Sequence, residues 1–355
     1  MVFYFVLFFL IVFAGIINNF NSDFHPTVRS RVWYYFIMFL LMGVAAFRAE
    51  GVDNDMGNYL TAITDGWGIT EASFYLISYF GYTRFGSLRL VFLIFAVLAI
   101  GLRFSAYRKL SPHLFMTIMV YYSTFFVVHE MNQIRAAVAV GFFLWGLYYW
   151  LLPERKILVA IFMFVLSISF HYSFILPCLF ICFVKNLIRG IYVYIALIPL
   201  AYILYFTKVT PLFLLSKLGG GYIADKVSVY QEFGMGVVTQ VNVFSILVLL
   251  KCLIVGLLIA FRNQLAQKHE HFYFYLKFYI IGLFFLIFFS SLPGAAFRIA
   301  EMFWVVEPLL IPLLISIFRP RYLSVFLLVV LCTYWVWLNY VASNFLRPYQ
   351  FDFSL

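Results

Sequence analysis

Charged side chains are scarce in this chain. Asp, Glu, Lys and Arg make up 11% of its 355 residues while 65% are hydrophobic; soluble domains carry about 25% charge, so a water-soluble globular fold is excluded. Cysteine is scarce too: Cys178, Cys182, Cys252 and Cys332 all lie inside apolar runs and read as core thiols, not as a disulfide framework or metal set. Alternation of apolar with polar residues is lacking, which excludes a transmembrane barrel. No internal repeat is present and the loops are unequal, against an inverted-repeat transporter. No stretch has the composition of a soluble domain, so any chemistry takes place at the membrane.

What is there instead is about a dozen apolar runs. In hydrocarbon every backbone N–H and C=O must be satisfied within its own helix, so the expected fold class is all-α, a polytopic integral membrane protein with about 12 transmembrane helices. The runs are 2–19, 32–47, 88–106, 113–129, 133–152, 156–169, 172–185, 191–207, 241–261, 273–290, 298–318 and 322–341. The first lacks a basic n-region and a small-x-small cleavage site and reads as a retained helix. The run 156–169 would span about 21 Å, short of an ordinary crossing. It is therefore expected to form a re-entrant or tilted pair with 172–185, broken near His171.

With the N-terminus outside, short inner loops collect Arg29, Arg31, Arg103, Arg108, Lys109, Arg155, Lys156, Lys185, Arg189, Arg262, Lys268, Arg319 and Arg321, which is 13 of the 24 basic residues. That is the positive-inside pattern. Both termini then lie outside. The net charge of +10 is thus a matter of topology, and no nucleic-acid partner is expected. Residues 1–355 read as a single transmembrane domain with two large outer loops, 48–87 and 208–240. The first holds five acids and an apolar 72–80 stretch suited to an interfacial helix. The second contains Gly219, Gly220 and Gly221 as a turn, with Tyr222 and Tyr230 as stacking surfaces.

Under this topology the polar residues that lipid does not explain gather on the outer face. Arg48, Glu50, Asp53, Asp55, Asn58 and Tyr59 lie in the first outer loop; His129, Glu130, Asn132, Gln133 and Arg135 lie at a helix junction; His171 marks another; Arg298 and Glu301 follow a Pro293-Gly294 break. Arg135 opens a helix of small residues, Ala136, Ala137, Ala139 and Gly141, that lets neighbours approach closely. Its guanidinium suits bidentate capture of a phosphate or diphosphate; a snorkelling pair with Glu130 is the structural alternative. Arg298 and Glu301, three residues apart, share a helix face. Lys251 and Glu307 sit deep in apolar helices, as functional groups or buried partners by default, and the sequence does not say with what they pair. His171 is a candidate general base for a sugar hydroxyl, with His129 as its competitor. Asp53-Asn54-Asp55 is a D-x-D, and His269-Glu270-His271 reads as a solvated turn rather than a metal site.

At these residues the chain resembles the EpsG-like and Wzy-type polymerases of bacterial O-antigen, capsule and exopolysaccharide synthesis. GVDNDMGNY resembles a G-x-D-x-x-x-Y pattern through Gly51, Asp53 and Tyr59; NQIRAAVAVG resembles an N-x-x-R-Q-x-x-A helix start, with Ala136 where Gln often stands; FHYS, FRIAEMF and the terminal NFLRPYQF resemble the family's remaining motifs. The resemblance implies a glycosyltransferase, inverting and metal-independent, that moves a growing glycan from undecaprenyl diphosphate onto a lipid-linked repeat unit at the outer leaflet of the bacterial inner membrane. On it, His171, Arg135 and Arg298 are the expected catalytic residues. Arg48, Asp53, Asn58, Tyr59, Asn132, Gln133 and Glu301 are the expected substrate-binding ones. No cofactor or metal is implied; the partners are the undecaprenyl-diphosphate-linked oligosaccharide, membrane lipid and a chain-length regulator protein. The alternatives are a lipid-sugar-dependent glycosyltransferase using a metal on Asp53 and Asp55, and a polysaccharide repeat-unit transporter.

Overall fold

The apolar runs fold as helices. The computed structural model describes residues 1–18, 27–66, 71–154, 156–182, 184, 190–211, 240–343 and 346–353, so the 208–240 loop, with Gly219 to Gly221, Tyr222 and Tyr230, lies almost wholly outside the described residues. Among these the chain has no β-strand, only two isolated bridges. Five helices are long and apolar enough to cross a membrane: Val28–Ala46, Leu88–Leu110, Leu114–Asn132, Ile134–Leu151 and Arg321–Ala342. Ile246–Ala260 with Arg262–Lys268, bent by 74°, makes a sixth if taken as one span. Shorter apolar helices cover Val2–Ile17, Ile157–Phe170, Tyr172–Ile181, Ile191–Phe206 and Phe272–Phe288.

Length and composition thus identify five or six spans where about 12 were expected: Val2–Ile17, Ile191–Phe206 and Phe272–Phe288 are unbroken but have only 16, 16 and 17 residues, and others are interrupted. The expected 298–318 run is two helices, Pro293–Trp304 and Glu307–Ile315, because the Pro308 ring cannot continue a helix over the carbonyl four residues before it. The same logic applies at Pro177, and the break expected near His171 is present. His171 is extended (φ −154°, ψ 107°), followed by a 3-10 turn Tyr172–Phe174 before Ile175–Cys182. The 72–80 stretch is helical as Ala72–Ser78 and runs on as a π-turn, Tyr79–Arg84, with Tyr75, Leu76, Tyr79 and Phe80 exposed.

The chain forms two compact units, Met1–Cys178 with Ile311–Leu355, and Leu179–Leu310. In the first, α1 (Val2–Ile17), α2 (Val28–Ala46), α3 (Met56–Asp65), α4 (Ala72–Ser78), α5 (Leu88–Leu110), α6 (Leu114–Tyr121), α7 (Ile134–Leu151) and α8 (Ile157–Phe170) pack around α5 and α7. The small residues of α7 do what their size allows: a Cβ on Gly141 would stand 2.6 Å from Leu102, and one on Gly146 2.5 Å from Phe164. Helix α6 continues as an eleven-residue π-helix, Tyr122–Asn132, a geometry usually confined to single turns at functional sites.

The C-terminal residues strap the end of α2. Ala49 N donates to Gln350 O (2.9 Å), Arg347 N to Val52 O (2.8 Å) and Asp352 N to Phe47 O (3.0 Å), and Tyr349 stacks on Phe3. Arg89 locks this corner by donating to the carbonyls of Ala46 and Arg48.

In the second unit Phe272–Phe288 is the buried central helix. Gly282 admits Trp304, whose indole donates to the Tyr279 carbonyl at 3.3 Å. Lys251 and Glu307, both buried, pair at 2.5 Å; Tyr279 donates to the same carboxylate at 3.0 Å and the ammonium stands 4.4 Å from the Trp304 ring centroid. The two deep charges are thus buried partners, and of each other.

Candidate active site

Two of the expected catalytic residues, 36 positions apart, meet on one carboxylate. Arg135 is the second residue of α7, placed where Gln133 ends the π-helix by donating its N–H to Val128 O at 2.9 Å. His171 is held at the α8 break by its own N–H to Ser167 O at 3.1 Å. Between them stands Glu71, the residue preceding α4. Its Oε2 accepts from Arg135 Nη1 and its Oε1 lies 3.2 Å from His171 Nδ1. A carboxylate only accepts, so Nδ1 carries the proton and Nε2 is left as the ring's basic nitrogen.

Glu71 is fixed by packing on either side. Ser73 Oγ donates to Ser169 O at 2.7 Å, tying α4 to the last turn of α8. Phe74, fully buried, lies against Tyr59 and Phe95 at centroid distances of 5.9 and 5.8 Å. Glu71 itself is 6% exposed, Arg135 and His171 each 22%, so the carboxylate lies behind two groups that reach the surface. Burial opposes the Glu71 charge, but the His171 hydrogen bond and the Arg135 guanidinium outweigh it and pull the carboxyl down to about 2. The Arg135 guanidinium also lies 5.8 Å from the Tyr59 ring centroid. Its Nε is buried with no hydrogen-bond partner among the described residues.

Behind this triad lies a second network. Arg48 Nε donates to Asp53 Oδ2, Nη1 to Ala45 O and Nη2 to Met131 O at 2.7 Å. The other Asp53 oxygen accepts from Asp55 N (3.0 Å) and Met56 N (2.8 Å), capping α3. Asn132 accepts from Asn54 N (3.3 Å) and donates to Val127 O (2.8 Å). Arg48, Asp53, Tyr59 and Asn132 are therefore buried and engaged, whereas Asn58 is exposed and Gln133 half-buried. Both oxygens of Asp53 are committed to protein groups, which weighs against the D-x-D as a metal ligand pair. Among the described residues no group of three or more His, Cys, Asp or Glu could hold a metal ion.

Two placements correct the reading of the sequence. Arg103 lies inside α5, fully buried, instead of in an inner loop. His129 and Glu130 are interior residues of the π-helix, each 2% exposed, instead of lying at a helix mouth. Arg103 Nε stands 3.2 Å from Glu130 Oε1 and its Nη2 donates to His129 Nδ1 at 2.6 Å. Glu130 therefore serves Arg103, and the Arg135–Glu130 snorkelling pair does not form. His129 is buried and accepts from Arg103, so its Nδ1 is committed inside the protein. Arg298 and Glu301 lie on the Pro293–Trp304 helix of the second unit, Arg298 exposed.

A family model described as the EpsG family matches residues 31–351. The chain belongs to the EpsG family. That family is a Wzy-like one of exopolysaccharide and O-antigen polymerases, a polymerase-type class of glycosyltransferase. No curated protein and no solved structure matches the chain. As an EpsG-family protein with several long apolar helices, it is a membrane protein.

The matched span of this EpsG-family chain takes in all three members of the triad and both residues of the Arg48–Asp53 pair. Sequence reasoning counted Glu71 among the acids of 48–87 without singling it out. Its only local signal is an acid directly before an amphipathic run, the position of a helix N-cap. Arg103 was missed because it was grouped with Arg108 and Lys109. A lone cation inside an apolar run is by default a buried partner, and that signal was present.

Proposed function

We propose that this protein polymerises a surface polysaccharide at the outer leaflet of the bacterial inner membrane, using an undecaprenyl-diphosphate-linked glycan as donor and a lipid-linked repeat unit as acceptor. The observation that carries the reading is the convergence of Arg135 and His171 on Glu71, which pairs an anion-binding fork with a base whose free nitrogen is turned from its carboxylate partner. In the proposed step His171 Nε2 takes the proton of the acceptor hydroxyl as its oxygen attacks the anomeric carbon of the donor. The bond from that carbon to the diphosphate oxygen breaks, and undecaprenyl diphosphate leaves with the electron pair. A single displacement of this kind inverts the anomeric centre. Arg135 meets the charge that grows on the leaving diphosphate. Because the lipid diphosphate is already a leaving group, neither a nucleotide nor a metal is required.

Within this reading Asn58 and Gln133 contact sugar, while Arg48, Asp53, Tyr59 and Asn132 hold the segment that carries them. Deleting the gene and separating surface polysaccharide by gel tests the proposal: loss of a polymerase leaves single repeat units on display. Loss of all surface glycan, including single units, would point to a transporter.

A further inference from the structure

Glu71 is a buried titratable group at the site that the proposed displacement leaves without a task. It is also the only contact the described residues provide between the two groups that the displacement needs. Resting on that reading, we infer that Glu71 is a positioning residue that serves Arg135 and His171 in turn, holding the guanidinium while the site is empty and the imidazolium while the reaction proceeds.

The geometry supports an exchange of partners. The two carboxylate oxygens are divided, one to Arg135 and one to His171, and the acid is more buried than either cation-bearing side chain. An incoming diphosphate meets Arg135 from the exposed part of its side chain, which is 22% accessible, and not through Nε, which is buried. Transfer of Arg135 from Glu71 to the diphosphate leaves the carboxylate with His171 alone. The proton gained at Nε2 from the acceptor hydroxyl then makes an imidazolium whose Nδ1–H already points at an unshared carboxylate. The charge created on the ring is compensated within one hydrogen bond, and the charge created on the leaving group is met by the arginine that was released. Glu71 accordingly weakens resting affinity for the diphosphate and strengthens turnover.

That opposition separates this role from a structural one, which would lower both together. The test uses the purified full-length protein in detergent, with undecaprenyl diphosphate as the binding probe, and polymer formed in a gene-deletion strain expressing each variant at wild-type abundance. Glu71→Gln removes the competing charge and keeps the side chain's shape; it is expected to bind the probe about fivefold or more tightly, from the loss of one charge-assisted partner, and to form no polymer. Glu71→Asp keeps the charge but withdraws it by one methylene. It is expected to bind within about twofold of wild type and to form at most about a tenth of the polymer, since one displaced hydrogen bond at a catalytic base costs on that order. Unchanged or weaker probe binding by Glu71→Gln, or long polymer from either variant, overturns the inference. Wild-type protein that fails to bind undecaprenyl diphosphate overturns the polymerase reading instead, and this inference falls with it.

Discussion

Replacing Arg103 with Met should destabilise the protein strongly, and a second substitution at Glu130 should restore most of the loss. Arg103 and Glu130 are 0% and 2% exposed, the guanidinium stands 3.2 Å from the carboxylate, and Tyr121 lies beneath it at 5.3 Å. Methionine fills a similar volume but leaves the buried Glu130 carboxyl without its cation, a change that typically costs about 3–5 kcal/mol. Adding Glu130→Gln, which removes the stranded carboxyl and keeps its shape, should restore most of the loss. The assay is the thermal midpoint of detergent-purified protein by intrinsic fluorescence for wild type, both singles and the double. An Arg103→Met protein as stable as wild type, or a double variant as weak as Arg103→Met, would refute the pairing.

Glu71 makes stability depend on pH. A carboxyl held at about 2 against an ordinary 4.5 stabilises the fold fully above pH 4.5 and loses that contribution as pH falls toward 2. The contribution is roughly 3 kcal/mol as an upper bound, so the midpoint difference between wild type and Glu71→Gln should be flat from pH 8 to 5 and shrink below 4.5. Gly282→Ala should lose about 2 kcal/mol, read as a lowered thermal midpoint, since its Cβ would stand 2.6 Å from a Trp304 ring that is hydrogen-bonded in place. Arg135→Lys should abolish long polymer at normal protein abundance, because an ammonium cannot keep Glu71 while gripping a diphosphate with a planar fork; long chains from this variant would remove the fork from the mechanism.

Much of the helical framework was legible because lipid forces backbone hydrogen bonds inside each segment, and every expected apolar run is helical over most of its described residues. One break was legible in the sequence, the one near His171. The break at Val305–Val306 went unread although Pro308 supplies its cause, and the π-helix Tyr122–Asn132 has no compositional signature. The site was half legible. Arg135 and His171 stand out as polar residues at helix ends, and Ala136 to Gly141 announced the close approach of α5 and α7. The group that joins them, Glu71, is 64 residues from one and 100 from the other, and a pairing across such separations is set by tertiary packing, which no local pattern encodes. Arg103 and Glu130 were each visible as charges. Their partnership became visible only when the π-helix turned Glu130 into the interior.

The most direct measurement of the central claim is reconstitution. Purified protein in liposomes, given undecaprenyl-diphosphate-linked repeat units as sole substrate, should yield a ladder of longer lipid-linked glycans and one free undecaprenyl diphosphate per unit added, with both products lost in Arg135→Ala and His171→Ala at equal protein loading. Repeat units that stay single while crossing the bilayer, or a ladder undiminished in both variants, would contradict it.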